Sequence, residues 1–357
     1  MVNQWKHREE GKAVSKAVIA QKSTEELQEA KSFIEQLLRL RNSEKLLRTY
    51  ITGTKNAIKY NKKNKVYVSY RFDGTTTGRL SCASYHAKKR MGVSFHTLPR
   101  DTDDNIRSLF IAPNNWNFIT VDYSAMELRI LAHIARESNM QKAFIEGADL
   151  HSYTAKLLFQ KEDISKEERQ IAKTVSFLIV YGGGAFNLSE TMGIPVRRAE
   201  KIISSYKKVY PGIFTYMDFV NEFIKENGYA YTIFGRHRNL PDVHSRNRSV
   251  ANRALRQGVN FTIQSAASDT LLCSLLGISD RFSAKRMRSR VVATVHDSVE
   301  IISPPEETQE ACKIIYDEMV NYPFVRRAFN LEFEVPLAID IEVGRSFGVG
   351  EEVHIEK

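Results

Sequence analysis

Along most of this chain the apolar residues recur every three to four positions, and at a few short places every second position. The first spacing predicts helices and the second strands. From Ser23 to about Tyr50, Leu27, Phe33, Ile34, Leu37, Leu38 and Leu40 form a mainly helical stripe, and Ser23-Thr24-Glu25-Glu26 ahead of it has the form of a capping box. Residues 1–22 are polar, mixed in charge and without period, and read as a tail. The Lys/Asn-rich run Lys55–Lys65 reads as a solvated connection. VYVSYRF at 66–72 alternates as a strand does, and Asp73-Gly74 closes it with a turn. The short apolar run Phe118–Val121 is followed by Leu128, Leu131, Ala132 and Ala135 on one helical face, so strand, Asp122 and helix come in succession. Residues 140 to about 255 read as largely helical, broken at Gly182-Gly183-Gly184, Tyr210-Pro211-Gly212 and Phe234-Gly235-Arg236. Val291–Val295 and Val299–Ile302 are two β-branched runs around His296-Asp297-Ser298, which predicts a tight hairpin with His and Asp at its tip.

Composition bounds this picture. A chain of 357 residues buries a substantial core and is expected to form more than one lobe. Lys and Arg total 52 against 42 Asp and Glu, a net +10. The first 100 residues hold 21 basic against 8 acidic side chains, so the whole excess lies there. Such a segment suits a nucleic-acid backbone, whose neutralisation dominates non-specific affinity; a solvated basic face without a partner is the plainer alternative. Cys82, Cys273 and Cys312 are too few and too scattered for a disulfide framework or a zinc cluster, which points to a reducing compartment. The N-terminus has no signal-like apolar run, and no window is expected to be long enough to cross a bilayer. A soluble, cytoplasmic protein with no membrane partner is therefore expected.

Several residues carry candidate chemistry. Asp122 and Asp297 stand where apolar strands surface. Phosphoryl transfer asks a protein mainly to position reactants and stabilise charge, and two divalent ions about 3.5–4 Å apart do so by clamping the attacking and leaving oxygens. Mg²⁺ takes one or two carboxylates plus substrate phosphates, so two aspartates suffice. Taken singly, each is otherwise an ordinary turn or capping residue. Arg169, Lys173, Phe177 and Tyr181 are four apart, and each step drifts by only about 40°, so all four share one helical face. The cations suit a triphosphate and the aromatics a base or sugar; an amphipathic helix with snorkelling cations and core aromatics is the alternative. Arg256, Asn260 and Gln264 repeat the same spacing. Ser124-Ala125-Met126-Glu127 has the form of a second capping box, which would give Glu127 a local task.

Three of these stretches, VDYSAMELR at 121–129, RQIAKTVSFLIVYG at 169–182 and TVHDSVE at 294–300, resemble motifs A, B and C of the family A DNA polymerases, the bacterial DNA polymerase I type, in order and spacing. The likeness runs from about Ser23 to about Phe347 and includes FGRHRNLPDV and VPLAIDIEVG. It implies that Asp122 and Asp297 bind two Mg²⁺ ions with help from the main-chain carbonyl of Tyr123. It also implies that Arg169 and Lys173 grip the triphosphate, with Lys173 counted among the catalytic groups, while His151 lies near it. Phe177 would pack on the incoming nucleotide, Tyr181 would guard the templating position, and Glu127 with Tyr181 would exclude a ribose 2′-hydroxyl. Arg79, Arg256, Asn260, Gln264 and His296 would touch primer-template DNA. Ser298 departs from the pattern, standing where most relatives have a second acidic residue; Glu300 is a candidate substitute for that third acid, but strand alternation puts it on the opposite face from Asp297 unless the hairpin is irregular. Asp340-Ile341-Glu342 is a D-x-E triplet and weak ground for an exonuclease.

The resemblance implies an α+β right-hand fold with an antiparallel palm sheet, helical fingers and a short helical thumb. The expected divisions are a tail at 1–22, a reduced thumb at 23–65, palm at 66–135, fingers at 136–255 and palm again at 256–357. The expected activity is DNA-dependent addition of dNTPs to a primer on template DNA, without proofreading in this chain. Two rivals stand beside it: a single-subunit RNA polymerase, which Glu127 argues against, and a catalytically weak DNA-binding fragment or subunit needing a partner, suggested by Ser298 and the short thumb.

Overall fold

A computed structural model describes residues 25–62, 64–84, 92–99 and 105–355. The tail and the Ser23-Thr24 half of the first capping box lie outside the described residues, as does the side chain of Leu27. The chain divides into two compact units. One comprises the described residues up to Ser69 with those between Ala83 and Ser94, the other Tyr70–Cys82 and the described residues from Phe95 on.

In the first unit a helix spans Glu25–Lys45, widens into a π-helical turn at Leu46–Ile51 and continues as Thr52–Asn61. Lys55–Asn61 is thus helical rather than a solvated connection, because Ala57 and Tyr50 give that segment a buried side. Gly53 is dictated by a close approach: its carbonyl accepts from Gly92 N at 2.9 Å, and a Cβ there would meet the Gly92 oxygen at 2.6 Å. The expected stripe forms on the first helix, but Phe33, Leu38 and Leu40 are exposed. Strands β1 (Val68–Arg71) and β2 (Ser81–Ser84) pair as a two-stranded ribbon, and the division between units falls within it.

The second unit is built on a five-stranded antiparallel sheet, made by β3 (Asn117–Tyr123), β6 (Arg290–Val295), β7 (Ser298–Ser303), β8 (Ile339–Ser346) and β9 (Val349–Glu352). Their order is β6-β7-β3-β8-β9. Alternation sorts the two faces. Ile119, Val121 and Tyr123 of β3, Val299 and Ile301 of β7 and Ile341 of β8 pack into one core with Ala266, Ala267, Leu271 and Ile278 of a 37-residue helix, Arg248–Ala284. Each buried Val or Ile contributes about 1.5–3 kcal/mol. The intervening residues, Thr120 and Asp122, Ser298 and Glu300, Asp340 and Glu342, share the other face.

The long helix is buried on most sides in its middle, where Thr262, Thr270 and Ser274 satisfy their hydroxyls on preceding carbonyls. It is long and apolar enough by composition to cross a membrane, contrary to the reading of the sequence, but 83% of its most apolar window is buried inside the protein. A second core joins the helices Met126–Ile134, Ser138–Ile145, Leu150–Phe159, Lys166–Val180, Val196–Val209 and Pro211–Asn227 around Leu131, Ile171, Val175, Ile202, Tyr206 and Tyr210. The helical stretch breaks at the three expected places. It also contains a short ribbon, β4 (Tyr229–Tyr231) and β5 (His237–Asn239), whose turn uses Gly235 at φ 80°. Helical spacing of the flanking residues concealed that ribbon.

Candidate active site

Asp122 is the penultimate residue of β3, and its neighbours across the sheet are Ser298 of β7 and Asp340 of β8. Asp297 lies in the two-residue link between β6 and β7, where Val295 pairs with Ser298. The other link residue, His296, has φ 58°, a left-handed conformation that costs a residue with a Cβ about 1–2 kcal/mol. Several bonds hold it there. His296 Nε2 donates to His96 O at 3.1 Å, His96 Nε2 donates to Thr294 O at 3.1 Å, and Thr294 Oγ1 donates to Ser298 O at 2.8 Å. Tyr70 contributes a two-way bond, donating to Thr294 O at 2.8 Å and accepting from Thr294 N at 2.9 Å. Burial and the neighbouring His296 lower the pKa of His96. Tyr123 N donates to Asp297 O at 3.3 Å, tying the end of β3 to this hairpin. Its side chain is buried, and the hydroxyl donates to Met319 O at 2.9 Å.

Three further groups converge on Asp297. Arg79 Nη2 donates to Asp297 Oδ1 at 3.3 Å and pairs with Glu127 Oε1, while Tyr181 donates to Glu127 Oε2 at 3.0 Å. Glu127 is 5% exposed. Burial raises its pKa, Arg79 opposes the rise, Asp297 adds to it and the Tyr181 bond opposes it. The Asp297 carboxyl is likewise pushed up, first by burial and further by Asp122, against the pull of Arg79. The capping box expected at Ser124 does not form. Ala125 is the N-cap, at φ 51° with no side-chain bond, and the Glu127 carboxylate is engaged with Arg79 and Tyr181 instead. Arg129 of the same stretch shapes this turn by donating to Ser124 O at 2.9 Å while its guanidinium lies 4.3 Å over Phe144.

The helix that ends at Tyr181 starts with a complete capping box between Ser165 and Glu168. Arg169, Lys173, Phe177 and Tyr181 lie along one side of it, Lys173 exposed and Phe177 half-buried. Arg169 is engaged by Asp149 through two bonds of 2.9 Å, which hold the Asp149 carboxyl well below the usual carboxylate range. Asp149 also caps the Leu150–Phe159 helix by accepting from Ser152 N. This partner of Arg169 was not anticipated; its signal was a capping Asp two residues before His151. The His151 ring is 5.9 Å from that of Phe177, its Nδ1 is buried without a hydrogen-bond partner, and burial lowers its pKa. After the helix the chain turns at Gly182, φ 70°, against Arg256: a Cβ there would lie 2.8 Å from the Arg256 side chain. Gln264 is buried beside the Tyr181 hydroxyl, and the buried Asn260 Oδ1 has no partner. Residues from five parts of the second unit thus adjoin one another around Asp297, Tyr181 and the turn at Gly182.

The polar face of the sheet runs beneath Asp122. Glu300 is fully buried; its Oε2 accepts from Thr120 Oγ1 at 2.8 Å and its Oε1 bonds Ser298 Oγ at 2.8 Å. Ser298 Oγ also lies 3.0 Å from Val295 O. Its one hydroxyl proton is shared between the Glu300 carboxylate and that carbonyl. Burial pushes the Glu300 carboxyl up to about 7, against the Ser298 and Thr120 bonds and the charge of Arg107. The expectation that Glu300 lies apart from the site fails because alternation was counted from Asp297. Asp297 sits in the link, and the register places Glu300 beside Thr120 on the Asp122 face.

Among the described residues no group of three or more His, Cys, Asp or Glu side chains is arranged to hold a metal ion. Asp122 and Asp297 nonetheless offer only hard oxygen donors, and repulsion from Asp122 contributes to the raised pKa of Asp297. A divalent cation of the Mg²⁺ kind relieves such repulsion.

The family model for DNA polymerase family A matches residues 2–349. The chain is 32% identical over 326 residues to DNA polymerase I of Chloroflexus aurantiacus, covering 90% of this chain and 33% of that protein. It is 36% identical over 292 residues to DNA polymerase I of Helicobacter pylori, covering 80% and 31%. The chain spans about a third of the length of these curated relatives. Among solved structures, the POL domain of Pol1 from M. smegmatis, in complex with DNA primer-template and dNTP, is similar with a TM-score of 0.80 at 27% identity. That match covers 90% of this chain and 55% of the other.

Proposed function

Because the chain belongs to DNA polymerase family A, we propose that it extends a primer along template DNA. The primer 3′-hydroxyl releases its proton to water, its oxygen attacks the α-phosphorus of a dNTP to form a new P–O bond, and pyrophosphate leaves with the electrons of the broken one. The single observation that best supports this is the tying of Asp297 to both sides of the site, to the Asp122 strand through Tyr123 N and to Glu127 and Tyr181 through Arg79.

Asp122, Asp297 and the Tyr123 carbonyl would hold two Mg²⁺ ions, which when bound supply charge stabilisation at the reacting phosphate and lower the pKa of the attacking hydroxyl. Arg169 and the exposed Lys173 bind the triphosphate; the Asp149 clamp keeps Arg169 oriented on its helix face. Lys173 lies one turn further along the same face, where its ammonium can meet charge that builds on the leaving pyrophosphate. Phe177 and His151 bound the sugar, and Glu127, held from two sides, leaves no room for a 2′-hydroxyl. Arg79 neutralises Glu127 and Asp297 in this state and turns to the minor groove of primer-template, together with Arg256, Asn260, Gln264 and His296. Within this proposal residues 23–65 serve as thumb, 66–135 and 256–357 as palm and 136–255 as fingers. We assign no proofreading role to Asp340 and Glu342, which belong to the β8 strand beside Asp122.

The rival reading, a weakly catalytic DNA-binding fragment, draws on Ser298. Primer extension with Mg²⁺ and dNTPs separates them. Asp122→Asn and Asp297→Asn should each abolish extension while duplex binding persists, because binding rests on the basic surface and chemistry on the carboxylates. Robust extension by either variant, or none by the parent, refutes the proposal.

A further inference from the structure

Glu300 is a carboxylate with no exposed surface, placed in a sheet where an apolar residue would cost nothing to bury. A charge taken out of water loses several kcal/mol unless it is paired; this side chain accepts hydrogen bonds from two neutral hydroxyls, Thr120 Oγ1 and Ser298 Oγ, each at 2.8 Å, and Arg107 acts on it electrostatically. Both come from residues that fix Asp122: Thr120 precedes it by two positions on the same strand face, and Ser298 is its direct neighbour across the sheet. Ser298 is also the residue next to Asp297 and donates toward Val295 O, closing the link that presents Asp297. One buried acid therefore touches the supports of both aspartates. Antiparallel pairing sets cross-strand neighbours about 4.5–5.5 Å apart and same-face residues along a strand about 6.5–7 Å apart. Glu300 is thus close enough to act on the charge at Asp122 and buried enough that water screens little of it.

We propose that Glu300 is a positioning residue for the divalent-cation site. It holds Thr120 and Ser298, and through them Asp122 and the Asp297 link, and it supplies the third acidic group of the site from two residues further along the strand than Ser298. This rests on the polymerase reading above. The arrangement explains how a serine beside Asp297 is compatible with metal binding: the acidic group is displaced along the same face of β7 rather than lost.

The test is Mn²⁺ binding to the protein, followed by electron paramagnetic resonance of the free ion, with thermal unfolding as the check on folding. Glu300→Gln keeps the shape and both hydrogen bonds but not the acid. It should weaken Mn²⁺ binding by about 10-fold, within the range for groups that support metal ligands, and raise the Mg²⁺ concentration needed for half-maximal extension more than it lowers the maximal rate. Adding Ser298→Glu to Glu300→Gln, which returns an acid to the same strand face, should recover most of the affinity. Mn²⁺ binding unchanged in folded Glu300→Gln overturns the inference, and so does failure of Ser298→Glu to restore it. If Glu300→Gln does not fold, Thr120→Val, which removes one of the two hydroxyls, takes its place, and unaltered Mn²⁺ affinity there overturns it equally. Asp122→Asn serves as the reference: Mn²⁺ binding that survives in that variant sinks the polymerase reading itself, not the role of Glu300 alone.

Discussion

Glu127 offers the sharpest test of the site, because its two explanations predict different observables. Replacing it with Ala removes one ion pair, with Arg79, and one hydrogen bond, from Tyr181. Hydrogen bonds to charged groups contribute about 1.5–3 kcal/mol each when buried. Arg79 keeps 27% of its side chain exposed and retains Asp297 at 3.3 Å, so the ion-pair share falls at the low end. The stability loss should be on the order of 2 kcal/mol, read from urea unfolding. Tyr181→Phe, which deletes the hydrogen bond alone, should cost about 1 kcal/mol. The functional consequence is separate: with the carboxylate gone, the space under the sugar opens, and the ratio of kcat/KM for ribonucleotides to that for dNTPs should rise by roughly 10–100-fold. Tyr181→Phe should raise it less, since Glu127 then keeps Arg79 as its one anchor. A stability loss of the stated size with an unchanged sugar ratio would refute the gating role and leave Glu127 as a strut between the Met126–Ile134 helix and Arg79.

Phe177→Tyr should relax discrimination against dideoxynucleotides, because a tyrosine hydroxyl can replace the hydrogen bond lost with the 3′-hydroxyl; equal terminator incorporation by both proteins counts against Phe177 facing the sugar. Glu300 makes stability depend on pH: its folded pKa of about 7 lies above the ordinary 4.5, so the folded state holds a proton that the unfolded chain releases. The contribution of Glu300 to stability is therefore full below about pH 4.5 and declines by on the order of 3 kcal/mol as pH rises through 7, a component of the slope that Glu300→Gln should remove in urea midpoints taken across that range. Gly182→Ala puts a Cβ at φ 70° and 2.8 Å from Arg256, so it should lower stability by about 1–2 kcal/mol and weaken primer-template binding; a variant as stable as the parent would show that Arg256 moves aside freely.

Local pattern carried much of this protein. Alternation located β1 and short apolar or β-branched runs located β3, β6 and β7, the four-residue spacing placed Arg169, Lys173, Phe177 and Tyr181 on one helix face, and the His-Asp pair between two such runs marked the hairpin. These succeeded because each depends on neighbours a few positions apart, and the three motifs added an order that composition alone could not supply. Partnership across the fold was another matter. Ser124-Ala125-Met126-Glu127 satisfies the capping-box pattern, yet the helix starts from Ala125 in a left-handed conformation, because Arg79, 48 residues upstream, and Tyr181, 54 downstream, bind the glutamate more strongly than a single amide would. Arg169 reads as a free cation until Asp149 is found across the helix pair. The Phe33–Leu40 stripe is amphipathic by spacing, but only packing decides whether such a stripe is covered, and here Phe33, Leu38 and Leu40 stay exposed. Glu300 is the clearest case. Its distance from Asp297 in sequence is fixed, but its face is set by the pairing of β7 with β3, and a register between strands 180 residues apart is decided only when the sheet assembles.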